Sequence, residues 1–71
     1  MKLLDIVALT EDMPDIRLYR GQVGTIVEKY ESDVFEVEFS DTKGRTYALE
    51  TLKENQLMVL HYQSFEEKMS A

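Results

Sequence analysis

Between Val34 and Ser40 the chain reads VFEVEFS, and this stretch leaves little choice of conformation. Phe35, Val37 and Phe39 alternate with Glu36 and Glu38. A period of two places the apolar groups on one side of an extended chain and both carboxylates on the other. Such a strand belongs in an antiparallel sheet with one packed face and one wet face. Around it, from Gly21 to Leu52, apolar-alternating runs are separated by turn-rich gaps, the pattern of a compact antiparallel meander.

The flanking segments extend the pattern. Leu3 to Thr10 is expected as a first strand, with Leu4, Ile6 and Ala8 on one face and Leu3, Asp5, Val7 and Leu9 on the other. β-branched Ile6 and Val7 favour strand over helix. Thr10 to Arg20 is the longest irregular stretch, rich in turn formers (Glu11, Asp12, Pro14, Asp15), and Pro14 biases Met13 towards an extended conformation. A loop of this length is expected to fold over the sheet, pinned by Ile16, Leu18 and Tyr19, and to be the place where function resides. Gly21 and Gly24 then open a run from Val23 to Tyr30. Glycines at a strand start mark a bend or a close backbone approach. A phosphate-cradling loop would need a helix with a Lys-Ser/Thr pair to follow, and Thr25, Ile26 and Val27 follow instead.

Glu31-Ser32-Asp33 and Asp41-Thr42-Lys43-Gly44 read as hairpin turns, with Gly44 placed for a positive φ. Arg45 to Leu52 resumes the strand pattern with Tyr47 and Leu49 inward. Lys53 to Gln56 suits a single 3₁₀ turn, and Leu57 to His61 a short last strand. From Tyr62 to Ala71 the alternation is lost, and this end is expected as a loosely ordered tail. The resulting expectation is an all-β fold: a small five-stranded SH3-like barrel over residues 1–61, with a short 3₁₀ turn before the last strand and a tail at 62–71. A curled sheet suits so short a chain because it protects its edges. The expected core is Ile6, Ala8, Val23, Ile26, Phe35, Val37, Phe39, Tyr47, Leu49, Leu57 and Val59, with the Tyr47 hydroxyl at the rim.

GQVGTIVE, FEVEF and RTYALETLKENQL, in that order within Leu3–Leu60, resemble a family of short bacterial proteins known as a domain of unknown function. The resemblance implies an SH3-like barrel and no catalytic residues. GQVGTIVE is also similar to the glycine-led strand of KOW-type barrels in ribosomal and transcription proteins, and to the barrel of the nitrile hydratase β subunit. A ribosomal barrel, however, carries a surplus of basic surface.

Here the balance is opposite: fourteen acidic against eight basic side chains, a net charge of −6. That field repels phosphate backbones. Arg17, Arg20, Lys43 and Arg45 are the basic residues that could converge, with Glu36 and Glu38 opposing them. The chain has no cysteine, which suits a reducing cytoplasm. The apolar run at Leu3–Leu9 is broken by Asp5, unlike a secretory leader, and falls far short of the about 20 apolar residues that span a bilayer. These features point to a cytoplasmic protein with no membrane segment.

Enzyme chemistry needs a nucleophile, base or metal set in a cleft. His61 is the sole histidine and makes a poor metal site alone. Glu11, Asp12 and Asp15 offer oxygen ligands but lack the spacing of a calcium loop. The serines have no patterned base. No catalytic residue, metal or cofactor is therefore expected. What remains is a binding module. Barrels of this kind present aromatics flanked by acids in a groove beside the first long loop. Glu11, Asp12, Asp15, Tyr19, Tyr30 and Tyr47 are the candidate partner-binding residues. The expected partner is a protein, with an antitoxin- or immunity-like neutralisation of a basic partner as one version, and a KOW-like nucleic-acid-binding barrel as the alternative.

Overall fold

The computed structural model describes residues 1–61, so the tail expected at 62–71 lies outside the described residues. Five strands appear: β1 (Ile6–Leu9), β2 (Val23–Glu31), β3 (Val34–Ser40), β4 (Thr46–Lys53) and β5 (Leu57–Val59). Short 3₁₀ turns occupy Pro14–Ile16 and Glu54–Gln56. The strands form one antiparallel sheet in the order β4-β3-β2-β1-β5. This is the expected small SH3-like arrangement, with the 3₁₀ turn leading into β5; no hydrogen-bonded ladder joins β4 to β5 to close the cylinder.

The core gathers Val7, Leu9, Met13, Leu18, Ile26, Phe35, Val37, Phe39, Leu52 and Leu57, with Ala8 also buried. Every inward residue of β3 is accounted for by the alternation in VFEVEFS. The first loop is pinned as expected by Leu18, which is buried, and Ile16 packs partly against the core. Met13 joins them: its carbonyl accepts from the Leu18 N–H at 3.2 Å, and its own N–H donates to the Leu18 carbonyl at 2.7 Å. This small bridge folds the loop back on itself, while Arg17 turns the chain in a left-handed conformation (φ 59°).

Four residues expected in the core are not part of it: Ile6 is half-buried, and Val23, Tyr47 and Leu49 are exposed. Val59 is half-buried and packs against the core. In β4 the cause is a bulge. Ser40 pairs with Thr46, but Phe39 pairs with Ala48, so Tyr47 is an extra residue. Counting back from the hairpin turn would set Tyr47 and Leu49 opposite Phe39 and Val37. The inserted residue reverses the parity, and Ala48, Glu50 and Leu52 face Phe39, Val37 and Phe35 instead. In β2, Val7 faces the core, so its partner Gly24 does too, and Val23 points outward beside Ala8. The first strand is also shorter than expected. Lys2 to Asp5 form a turn in which the Lys2 carbonyl accepts from the Asp5 N–H at 3.1 Å and Leu4 adopts φ 71°.

The two glycine-led bends behave as their residue type requires. Gly21 has φ 91° and Gly44 φ 78°, a region that costs residues with a Cβ about 1–2 kcal/mol. The turn at Gly44 is tied by Asp41, whose Oδ1 accepts from the N–H groups of Lys43 (2.8 Å) and Arg45 (3.0 Å). The Arg45 N–H, the main influence, together with that of Lys43, holds the Asp41 carboxyl below the usual carboxylate range.

Candidate functional site

The outer face of the sheet is built by the residues that alternate with the core. Thr25 pairs with Glu38, and Glu38 with Leu49; Glu28 pairs with Glu36, and Glu36 with Thr51. The result is an acidic band across β2 and β3, bordered on β4 by Leu49 and Thr51. Tyr47 and Leu49 are each about half exposed, and Glu36 and Glu38 are half-buried. Glu28 and Glu36 stand directly opposite one another, an arrangement that weakens a sheet unless something else compensates it. Among the described residues the only ion pair joins Arg45 Nε to Asp41 Oδ2 at 3.3 Å, in the β3–β4 turn. No described Lys or Arg therefore neutralises Glu28, Glu36 or Glu38.

Glu36 is the hub of this band. Its Oε1 accepts from the Thr51 hydroxyl at 2.7 Å and from the Tyr30 hydroxyl at 3.4 Å. The Tyr30 phenol is raised above its ordinary value. Partial desolvation contributes most, followed by the Glu36 charge and hydrogen bond and the Glu28 charge. The folded chain thus holds the Tyr30 proton more tightly than the unfolded chain. Its contribution to stability is complete below the unfolded value and is lost as pH rises through the folded one, a window confined to alkaline solution. Tyr30 should titrate above 10.0 in an NMR pH series, and Glu36→Gln should bring it back towards that value. An unchanged midpoint in the variant would contradict the role given to Glu36.

The six candidate residues from the sequence divide between two places. Tyr19 and Tyr47 come together through Gln22: its Oε1 accepts from the Tyr19 N–H, and its Nε2 donates to the Tyr47 hydroxyl at 3.3 Å. The Tyr47 ring also lies 6.3 Å from that of Phe39 between centroids, although Tyr47 is itself about half exposed and not the core residue expected. Asp12 belongs to this end, but its Oδ1 is engaged by the Arg20 N–H at 2.9 Å and shapes the loop. Glu11 and Asp15 are exposed on the same loop. Tyr30 stands apart, at the far end of β2 beside Glu36, so the three tyrosines do not line one groove. Sequence reasoning placed Glu36 and Glu38 on the outer face, but it did not pick out Gln22, which has no signal beyond its place between two glycines.

Among the described residues no enclosed cavity is present, and no group of three His, Cys, Asp or Glu side chains converges as a metal site would require. No described helix is long and apolar enough to cross a membrane. The described surface offers charge, aromatic rings and backbone edges.

No curated protein and no solved structure matches the chain. The family model described as Domain of unknown function (DUF4926) matches residues 3–59. That match takes in every strand of the sheet and most of the 71 residues, so the chain belongs to this family.

Proposed function

We propose that the protein is a non-enzymatic interaction module that binds a basic protein partner through the acidic band on β2 and β3. The observation that carries this reading is the Glu28–Glu36 cross-strand pair, with Glu38 alongside, left without a described cation. Like charges held opposite each other cost stability in the free protein. A cationic partner would relieve that repulsion, steer encounter and reject acidic competitors. The Tyr19–Gln22–Tyr47 cluster at one end adds aromatic surface of the kind enriched at interfaces. Neutralisation of a basic partner, as an antitoxin or immunity protein performs, is one form this could take. A cytoplasmic setting fits a chain without cysteine.

The test is a titration of isotopically labelled protein with poly-L-lysine and, separately, with single-stranded DNA and RNA at low ionic strength. Poly-L-lysine should shift the amides around Glu28, Glu36 and Glu38 in preference to those around Asp41 or Asp15. Replacing all three glutamates by glutamine should remove those shifts. Even perturbation of every carboxylate would sink the assignment of this band, and salt-sensitive binding of either nucleic acid would favour a KOW-like role instead.

A further inference from the structure

The outward edge of β4 is unoccupied among the described residues, because β4 is terminal in the sheet and pairs with β3 alone. Edges of this length are usually blunted by proline, by lysines or by a short strand. β4 spans eight residues, TYALETLK, without proline, and its one lysine is at the end. The opposite edge belongs to β5, which has only three residues. At Lys53 the edge closes, since the Lys53 N–H donates to Gln56 Oε1 at 2.9 Å. Outside the β3–β4 ladder, no described backbone group engages Thr46 to Leu52.

From this edge and the charges beside it we infer that the partner is captured by strand addition: an extended basic segment of another protein pairs with β4 as a sixth strand. The inference rests on the acidic-band reading above and assigns its binding mode. Main-chain hydrogen bonds to β4 supply affinity, and alternate side chains supply selectivity. On the outer side, lysines or arginines of the added strand lie with their stems over Leu49, about half exposed and paired with Glu38, and reach with their heads to Glu36 and Glu38. Tyr47 also offers a ring face to a cation. On the inner side Glu50, half-buried opposite Val37, faces the incoming strand directly. An inward-pointing charge on an edge guards against pairing with a like-charged chain. A second copy of this chain, with net charge −6, is therefore disfavoured, whereas a basic strand is attracted. One carboxylate thus rejects self-association and selects the partner.

The probe is an acetylated octapeptide alternating lysine and valine. Its control is the same peptide N-methylated at every residue, which keeps the charge but donates no backbone hydrogen bond. Both are added to the full chain, and amide exchange is followed by NMR. The unmethylated peptide should slow exchange at alternate β4 amides between Thr46 and Leu52 at least about tenfold, as expected where exposed amides enter a ladder. The methylated one should not. Glu50→Gln, and separately Glu36→Gln with Glu38→Gln, should each weaken the peptide roughly two- to tenfold at low salt. If both peptides bind equally and shift only the Glu28, Glu36 and Glu38 region, strand addition is wrong while the acidic band stands. If neither peptide perturbs the protein although poly-L-lysine does, strand addition is likewise overturned. If poly-L-lysine also fails, the acidic-band reading falls with it.

Discussion

Phe35→Ala should leave the protein largely unfolded at room temperature. Phe35 is, with Phe39, one of the two largest fully buried side chains, and it pairs across the sheet with Leu52 on one side and Lys29 on the other. Removing a buried phenyl ring forfeits its transfer free energy and leaves a cavity, together about 3–5 kcal/mol. Small domains hold about 5 kcal/mol in total, at the low end of the range for folded proteins. Most of the stability would therefore vanish in one step. Urea denaturation followed by circular dichroism should show a lost or drastically shifted transition. A midpoint near that of the parent would mean that the core tolerates a void at its centre, contrary to its packing. Phe35→Leu, which refills most of the volume, should recover much of the loss.

Gly24→Val should destabilise nearly as much, for the opposite reason. A Cβ at Gly24 would lie 2.7 Å from Val37 Cγ1, 2.9 Å from the Glu38 carbonyl oxygen and 3.0 Å from Phe39 Cδ2. The carbonyl is backbone and cannot step aside, and both side chains are buried. Overpacking of this kind costs about 1–3 kcal/mol, and the branched side chain of valine belongs at the upper end. Gly21→Ala is the control. Gly21 has open space around its Cβ position but a φ of 91°, so its cost is backbone strain of about 1–2 kcal/mol. Thermal melts of Gly24→Ala, Gly24→Val and Gly21→Ala should rank Gly24→Val as the least stable. If Gly21→Ala proved the worst, the close approach of β2 to β3 would not be what requires glycine at position 24.

The contrast between these glycines marks where sequence reasoning reached its limit. A glycine pair at the start of a strand signals a bend or a close approach, and both occur here, one at each position. Which glycine serves which purpose depends on Val7 facing inward, and that is settled by pairing across strands. The same limit explains the displaced core. Tyr47 and Leu49 are larger apolar residues than Ala48 between them, and the hairpin turn counts them inward. The bulge at Tyr47 reverses the parity, so the smaller Ala48 and the charged Glu50 take the inner positions. No local signal reports an inserted residue. The candidate site was legible in part: the acids of β3 follow directly from the alternation. That no described Lys or Arg forms an ion pair with them, and the separation of Tyr30 from Tyr19 and Tyr47, depend on contacts between residues distant in the chain.

The alternation of VFEVEFS, the turn residues around it and the paired glycines determined by themselves that this chain folds as a small, curled, all-β sheet. Those are local preferences, fixed by side-chain period and backbone freedom. The tertiary structure alone decided strand register, and with it the inward residues of β1 and β4, an acidic band that pairs with no described cation and an edge of β4 open among the described residues. Register has no local determinant because a slip of one residue leaves every propensity unchanged while exchanging one face of the strand for the other.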